Sequence, residues 1–98
     1  MAEKTYKPIA AGLKILKALD IIAMSSEPVT VKRITEMTEE PYGTTMTHIA
    51  TLEQAGYIER VGDGYAITLK LGTFWAKKKA SLQGVITRTQ AELREIGA

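Results

Sequence analysis

The stretch from Val29 to Leu69 constrains the fold of this chain more than any other. Thr30–Thr38 (TVKRITEMT) has the length and spacing of one short helix, and Glu39–Gly43 (EEPYG) is a turn containing a proline. Thr44–Ala55 (TTMTHIATLEQA) reads as a second helix, stopped at Gly56. Gly56–Leu69 (GYIERVGDGYAITL) then offers two short runs of strand-forming residues, split by Gly62-Asp63-Gly64. Helix, turn, helix and hairpin in that order predict a winged helix-turn-helix. Such an arrangement presents one helix and the hairpin to a DNA groove and the backbone beside it. The expected fold class is α+β, mostly helical, with a C-terminal linker or dimerisation helix. The expected division is a winged helix-turn-helix domain over residues 1–71 and a helical extension over residues 72–98.

Ahead of this stretch, a first helix is expected from Ala10 to Met24. Ile15, Leu16, Leu19, Ile22 and Ala23 fall on one broad face at helical spacing, opposite Lys14, Lys17 and Asp20. Leu13 and Ile21 lie on the polar flank, where a partner helix would cover them. Thr30 suits the N-cap of the next helix, because its hydroxyl can accept from the free amides of the first turn. Arg33 stands where a capping box wants Glu or Gln, so no box is expected. Ile34 and Met37 are expected to turn inward. Pro41 fits the start of the following helix, where a missing amide costs little. Thr45, His48, Ile49 and Leu52 share an inward face of that helix, and Gly43, Thr47, Ala50, Thr51 and Gln54 lie opposite. A last helix is expected from Thr73 to Ile96. Its apolar stripe (Leu71, Trp75, Leu82, Val85, Leu93) is interrupted by Lys78 and Thr89, and Gly84 is a point where it can divide in two.

Composition limits the function classes. The apolar content of 45% suffices for one small core. No cysteine is present, which excludes a disulfide framework and a cysteine-based zinc site and fits a reducing cytoplasm. The start, MAEKTYKPIAAG, lacks the apolar core of a signal peptide, and the longest wholly apolar run is Ile21–Met24. A cytoplasmic location is expected. No phosphate-binding glycine loop, nucleophile elbow or metalloprotease motif occurs, so no enzyme activity, cofactor or metal site is expected. His48 is the single histidine, without a second His or Cys to share a metal, and reads as a buried structural residue.

Charge is distributed unevenly. Residues 1–33 carry six Lys/Arg and three Asp/Glu, residues 34–59 carry five Glu and no base, and residues 60–98 carry seven bases and three acids. The acidic middle contains the candidate recognition helix. Phosphate attraction dominates DNA affinity, so this pattern keeps a second class open: a winged helix used for protein assembly without DNA.

For DNA, Tyr42, Thr44, Thr47 and Thr51 offer hydroxyls, and Met46 and Ala50 offer apolar contact to a thymine methyl. Arginine paired to guanine is not available on this helix. Thr30, Lys32 and Arg33 at the head of the second helix, and Arg60 at the base of the wing, are the candidates for phosphate. Asp63 at the wing tip does not favour backbone contact. Lys77-Lys78-Lys79 reads as solvated surface. Leu13 and Ile21, with Phe74, Trp75, Leu82 and Val85, are the candidates for a homodimer interface.

The chain resembles the N-terminal DNA-binding domain of the IclR family of bacterial transcriptional regulators. ALDII (Ala18–Ile22), VTVKRITEMT (Val29–Thr38), PYGTTMTHIATLEQAGYIER (Pro41–Arg60) and GYAITLKLGTFW (Gly64–Trp75) carry the likeness. The resemblance implies a dimer on a double-stranded operator, joined through helix 1 and the linker, and a role in transcriptional control. By position, Tyr42, Gly43, Thr44, Met46 and Thr47 occupy the family's base- and phosphate-reading region, and Lys17 matches its basic residue before ALDIL. The chain ends at Ala98, about where the family's effector-binding domain begins, so no small-molecule effector is expected for it.

Overall fold

A computed structural model describes residues 5–97. Residues 1–4, the beginning of the segment read as lacking a signal peptide, and Ala98, the end of the expected extension, lie outside the described residues. The element order is α1 (Ala10–Ala23), α2 (Val31–Thr38), α3 (Tyr42–Gln54), β1 (Ile58–Val61), β2 (Gly64–Ile67) and α4 (Leu69–Gly97). This is a mostly helical α+β winged helix-turn-helix with a long C-terminal helix. The chain divides into two compact units, one ending at Thr68 and one beginning at Leu69.

In the first unit, three helices and the hairpin enclose one core of Ala18, Ile22, Val29, Ile34, Ile49, Leu52, Ile58 and Tyr65. Ile22, Ile34, Ile49 and Ile58 are fully buried, each contributing on the order of 1.5–3 kcal/mol by removal from water. α1 gives the core Ala18 and Ile22, with Ile15, Leu19 and Ile21 packed at its margin. Leu16 and Met37, both expected inside, are more than 40% exposed. Each stands at the rim of its helix's apolar arc, where coverage depends on neighbouring elements rather than on the arc itself.

Thr30 caps α2: its hydroxyl accepts from the Arg33 amide at 3.2 Å. Glu39 ends α2 in the left-handed region, with φ 56°. Pro41 then occupies the N-cap of α3 rather than its first turn, and its carbonyl accepts from the Thr45 amide at 3.0 Å. The helix thus starts at Tyr42, two residues before the expected Thr44, and Gly43 lies inside it rather than in the turn. α3 ends at Gln54, and Gly56 follows with φ 86°.

The hairpin is antiparallel with register Ile58↔Ile67, Glu59↔Ala66, Arg60↔Tyr65 and Val61↔Gly64. Gly62 and Asp63 make its two-residue turn, with Gly62 at φ 64° in the position that glycine fills when only the first turn residue is left-handed. Gly64 belongs to β2 rather than to the turn. A Cβ there would lie 3.0–3.1 Å from Pro28 and Val29, so the absence of a side chain admits the loop before α2. Val29 then pairs with Tyr65 as an isolated bridge, adding a third, one-residue strand beside the hairpin. Thr68 closes the hairpin's base: its amide donates to the Tyr57 carbonyl at 2.9 Å, its hydroxyl to the Gly56 carbonyl at 2.6 Å.

The second unit is α4, 29 residues without interruption and without a buried residue. It starts four residues earlier than expected and runs through Gly84, which does not divide it. No helix among the described residues is long and apolar enough to cross a membrane.

Candidate nucleic-acid interface

α3 divides its residues cleanly between core and surface. Thr45, His48, Ile49 and Leu52 are buried, as their spacing predicts. Tyr42, Gly43, Thr47, Ala50, Thr51 and Gln54 are exposed, and Thr44 and Met46 are half-buried. The outward strip therefore carries most of the residues proposed from sequence to meet bases.

Three of the threonine hydroxyls on this helix, those of Thr45, Thr47 and Thr51, are engaged within it. Thr47 donates to the Gly43 carbonyl at 3.1 Å, Thr51 to the Thr47 carbonyl at 2.8 Å, and Thr45 to the Pro41 carbonyl at 3.2 Å. Helical threonines commonly bond back in this way. What Thr47 and Thr51 then hold out to a partner is a methyl group and oxygen lone pairs, not a donor. By residue type alone these hydroxyls are general hydrogen-bonding groups; within the helix the donors of Thr47 and Thr51 are already used.

Beside the strip, the heads of α2 and α3 and the wing surround a hollow of about 330 Å³. Thr30, Lys32, Tyr42, Met46, Arg60 and Asp63 are among its lining residues. Five of these six were singled out from sequence, although they come from positions 30–60 in three separate elements. The hollow holds two cations and one carboxylate. Arg60 is oriented by its own wing, since its Nε donates to the Gly62 carbonyl at 3.2 Å and leaves the remaining guanidinium nitrogens for other partners. Tyr42 is 61% exposed at the mouth of α3. Val31 and Tyr65 complete the lining and were not singled out. The alternation of the second strand, with Tyr65 opposite Arg60, was the signal that pointed to Tyr65.

One candidate, Arg33, does not line this hollow. Arg33 is one position beyond Lys32 and about 100° further round the helix. It lines a different groove, with Asp20, Met24 and Met37. Lys77, Lys78 and Lys79 lie on α4, in the other compact unit, and are exposed.

The acidic middle segment is partly answered by α1. Glu40, in the turn before α3, is held by Lys14, whose Nζ is 3.3 Å from Oε2. Glu36, Glu39, Glu53 and Glu59 are exposed. His48 is buried behind the strip. Among the described residues, no three or more His, Cys, Asp or Glu side chains gather in a group suited to a metal ion.

Comparison with known proteins bears on this geometry. The IclR helix-turn-helix domain matches residues 13–62, from early α1 to the wing turn and just over half of the chain. No curated protein matches the chain. With the matched span covering most of α1, all of α2 and α3 and the first strand of the wing, this chain belongs to the IclR helix-turn-helix domain family, and its first unit is a DNA-binding transcription-regulator domain.

Proposed function

We propose that the protein is a sequence-specific, double-stranded DNA-binding regulator that acts as a homodimer. The observation that carries this reading is the joining of Lys32 and Arg60 with Tyr42 and Met46 around one hollow, next to the exposed strip of α3. A helix offering a polar and methyl-bearing strip, flanked by two cations, suits a major groove and the phosphates beside it. Tyr42, Gly43, Thr44, Met46, Thr47 and Thr51 face bases and sugar-phosphate. Lys32 and Arg60 hold phosphates, and Thr30 orders the head of α2 where they converge. Arg33 reaches phosphate only on the far flank of α2. The dimer is supported by Leu13 on α1 and by Trp75, Leu82 and Val85 on α4, all exposed apolar side chains.

A second reading, a winged helix that assembles with protein rather than DNA, is favoured by the four exposed glutamates of residues 36–59. Thr47→Glu separates the two. Thr47 is exposed mid-strip, so the substitution leaves the core intact. Titration into fluorescent duplex DNA, followed by anisotropy at low and moderate salt, is expected to give tight, salt-sensitive binding for the natural chain and none for the variant. Undiminished affinity of Thr47→Glu would remove α3 from the DNA face. Absence of binding by the natural chain even at low salt would favour the assembly reading.

A further inference from the structure

The helix proposed to read bases is poor in cations. Residues 34–59, which include all of α3, carry five Glu and no base, and the hollow beside the strip adds Lys32 and Arg60. Yet phosphate attraction supplies a large share of a protein's affinity for duplex DNA. The missing cations are concentrated on α4: residues 69–91 include Lys70, Lys77, Lys78, Lys79 and Arg88 and no acid.

Helical rotation sorts these five bases. At about 100° per residue, Lys77 and Arg88 fall within about 20° of the line through Lys70, whereas Lys78 and Lys79 stand about 80° and 180° from it. Ser81 and Gly84 lie between Lys77 and Arg88, within about 40° of the same line. Both are small and exposed, and a Cβ at Gly84 would meet nothing within 4 Å. Leu71, Trp75, Leu82, Ile86 and Leu93 occupy a separate arc, about 100–160° round the helix. The basic stripe thus stays open when the apolar arc is covered. It ends where Glu92 and Glu95 follow. From Lys70 to Arg88 it spans about 27 Å at 1.5 Å per residue, the length of about eight base pairs. Lys77 and Arg88 are exposed, and neither forms an ion pair among the described residues. Their charges are therefore not already matched by an acid of this chain.

We propose that the stripe of Lys70, Lys77 and Arg88 is a second phosphate-binding surface, holding DNA backbone in addition to the contacts of α3 and the wing. α4 then contributes affinity and α3 contributes discrimination, because phosphate contacts position a protein without reading sequence. This deepens the DNA-binding reading and rests on it.

Two charge-matched double variants test the stripe. Lys77→Gln/Arg88→Gln removes two of its bases, and Lys78→Gln/Lys79→Gln removes two neighbours that lie off it. Glutamine keeps a good helix former at each position. The natural chain and both variants are titrated into the same fluorescent duplex from low to moderate salt, and each is measured by circular dichroism and sedimentation. The slope of log affinity against log salt is expected to fall by about 2 per bound chain for Lys77→Gln/Arg88→Gln. It should stay unchanged for Lys78→Gln/Lys79→Gln, with helicity and mass alike in all three. Equal falls for the two variants would show a diffuse effect of net charge and overturn the stripe. An unchanged slope for Lys77→Gln/Arg88→Gln, in a chain that still binds DNA, would overturn the stripe and leave the DNA reading standing. Loss of helicity or mass in that variant alone would reassign these bases to helix stability or subunit contact, and would overturn it too. A natural chain that binds no duplex even at low salt would overturn both.

Discussion

Val29 and Tyr65 exchange both of their backbone hydrogen bonds, at 2.9 and 2.8 Å, and so tie the head of α2 to the second strand of the wing. The two residues lie far apart in sequence, and their pairing fixes where Lys32 stands relative to Arg60. Gly64 permits it, since any side chain there would meet the Pro28–Val29 backbone. Backbone atoms at that distance cannot swing aside as a flexible side chain can. Gly64→Ala is therefore expected to cost about 1–3 kcal/mol and to weaken DNA binding with it. Urea unfolding measures the first effect. A midpoint equal to that of the natural chain would refute the close-approach argument.

Glu39 takes a left-handed conformation at the end of α2, which costs a non-glycine residue about 1–2 kcal/mol. Its side chain is exposed. Glu39→Gly removes the strain and part of the gain is offset by the greater freedom of glycine in the unfolded chain. A net stabilisation of up to about 1 kcal/mol is expected, seen as a higher thermal midpoint. A lower midpoint would mean that the Glu39 side chain contributes an interaction outweighing its backbone cost.

Lys32 and Arg60 predict a specific salt response. Each phosphate contact releases counterions, so log affinity falls with log salt by about 0.9 per contact. Lys32→Ala and Arg60→Ala are each expected to lower that slope by about 1 and to weaken binding evenly across DNA sequences. The exposed lysines of α4 supply the comparison: Lys78→Ala should leave the slope unchanged. Equal slopes for all three variants would move the phosphate contacts away from the hollow.

Gly84 lies inside α4, and a Cβ there would meet nothing within 4 Å. Gly84→Ala is expected to stabilise the helix by about 1 kcal/mol, read as greater helicity on heating. Loss of helicity, or loss of the dimer without loss of helicity, would reveal a close neighbour at this position supplied by another chain.

The sequence made local features legible. The inward face of α3 follows from Thr45, His48, Ile49 and Leu52 at their spacing, the cap follows from Thr30, and the helix stop follows from Gly56, because each rests on residues within one or two turns. Distant relations were not legible. Val29 finds its strand partner at Tyr65 only once the chain has folded back. Lys32 and Arg33 look equivalent in sequence, yet helical rotation sends one to the hollow and the other to the groove beside Met24. Met37 and Leu16 were misplaced because a periodic stripe does not say which of its margins a neighbour covers. The start of α3 was misplaced because Glu39 absorbs the turn in one left-handed residue and lets the helix begin at Tyr42.

The inward-bonded hydroxyls of α3 determine what kind of letter the helix can distinguish. Between Tyr42 and Gln54, the exposed strip of Thr47, Ala50 and Thr51 speaks in methyl groups, and its oxygens only receive. These three side chains have little to offer the acceptor edge of guanine. Their natural counterpart is the 5-methyl group of thymine, a mark that uracil lacks and 5-methylcytosine shares. Under the DNA reading, an operator rebuilt with deoxyuridine would keep every Watson–Crick pair and still lose its legibility to this protein, whereas a methylated cytosine would imitate the missing letter.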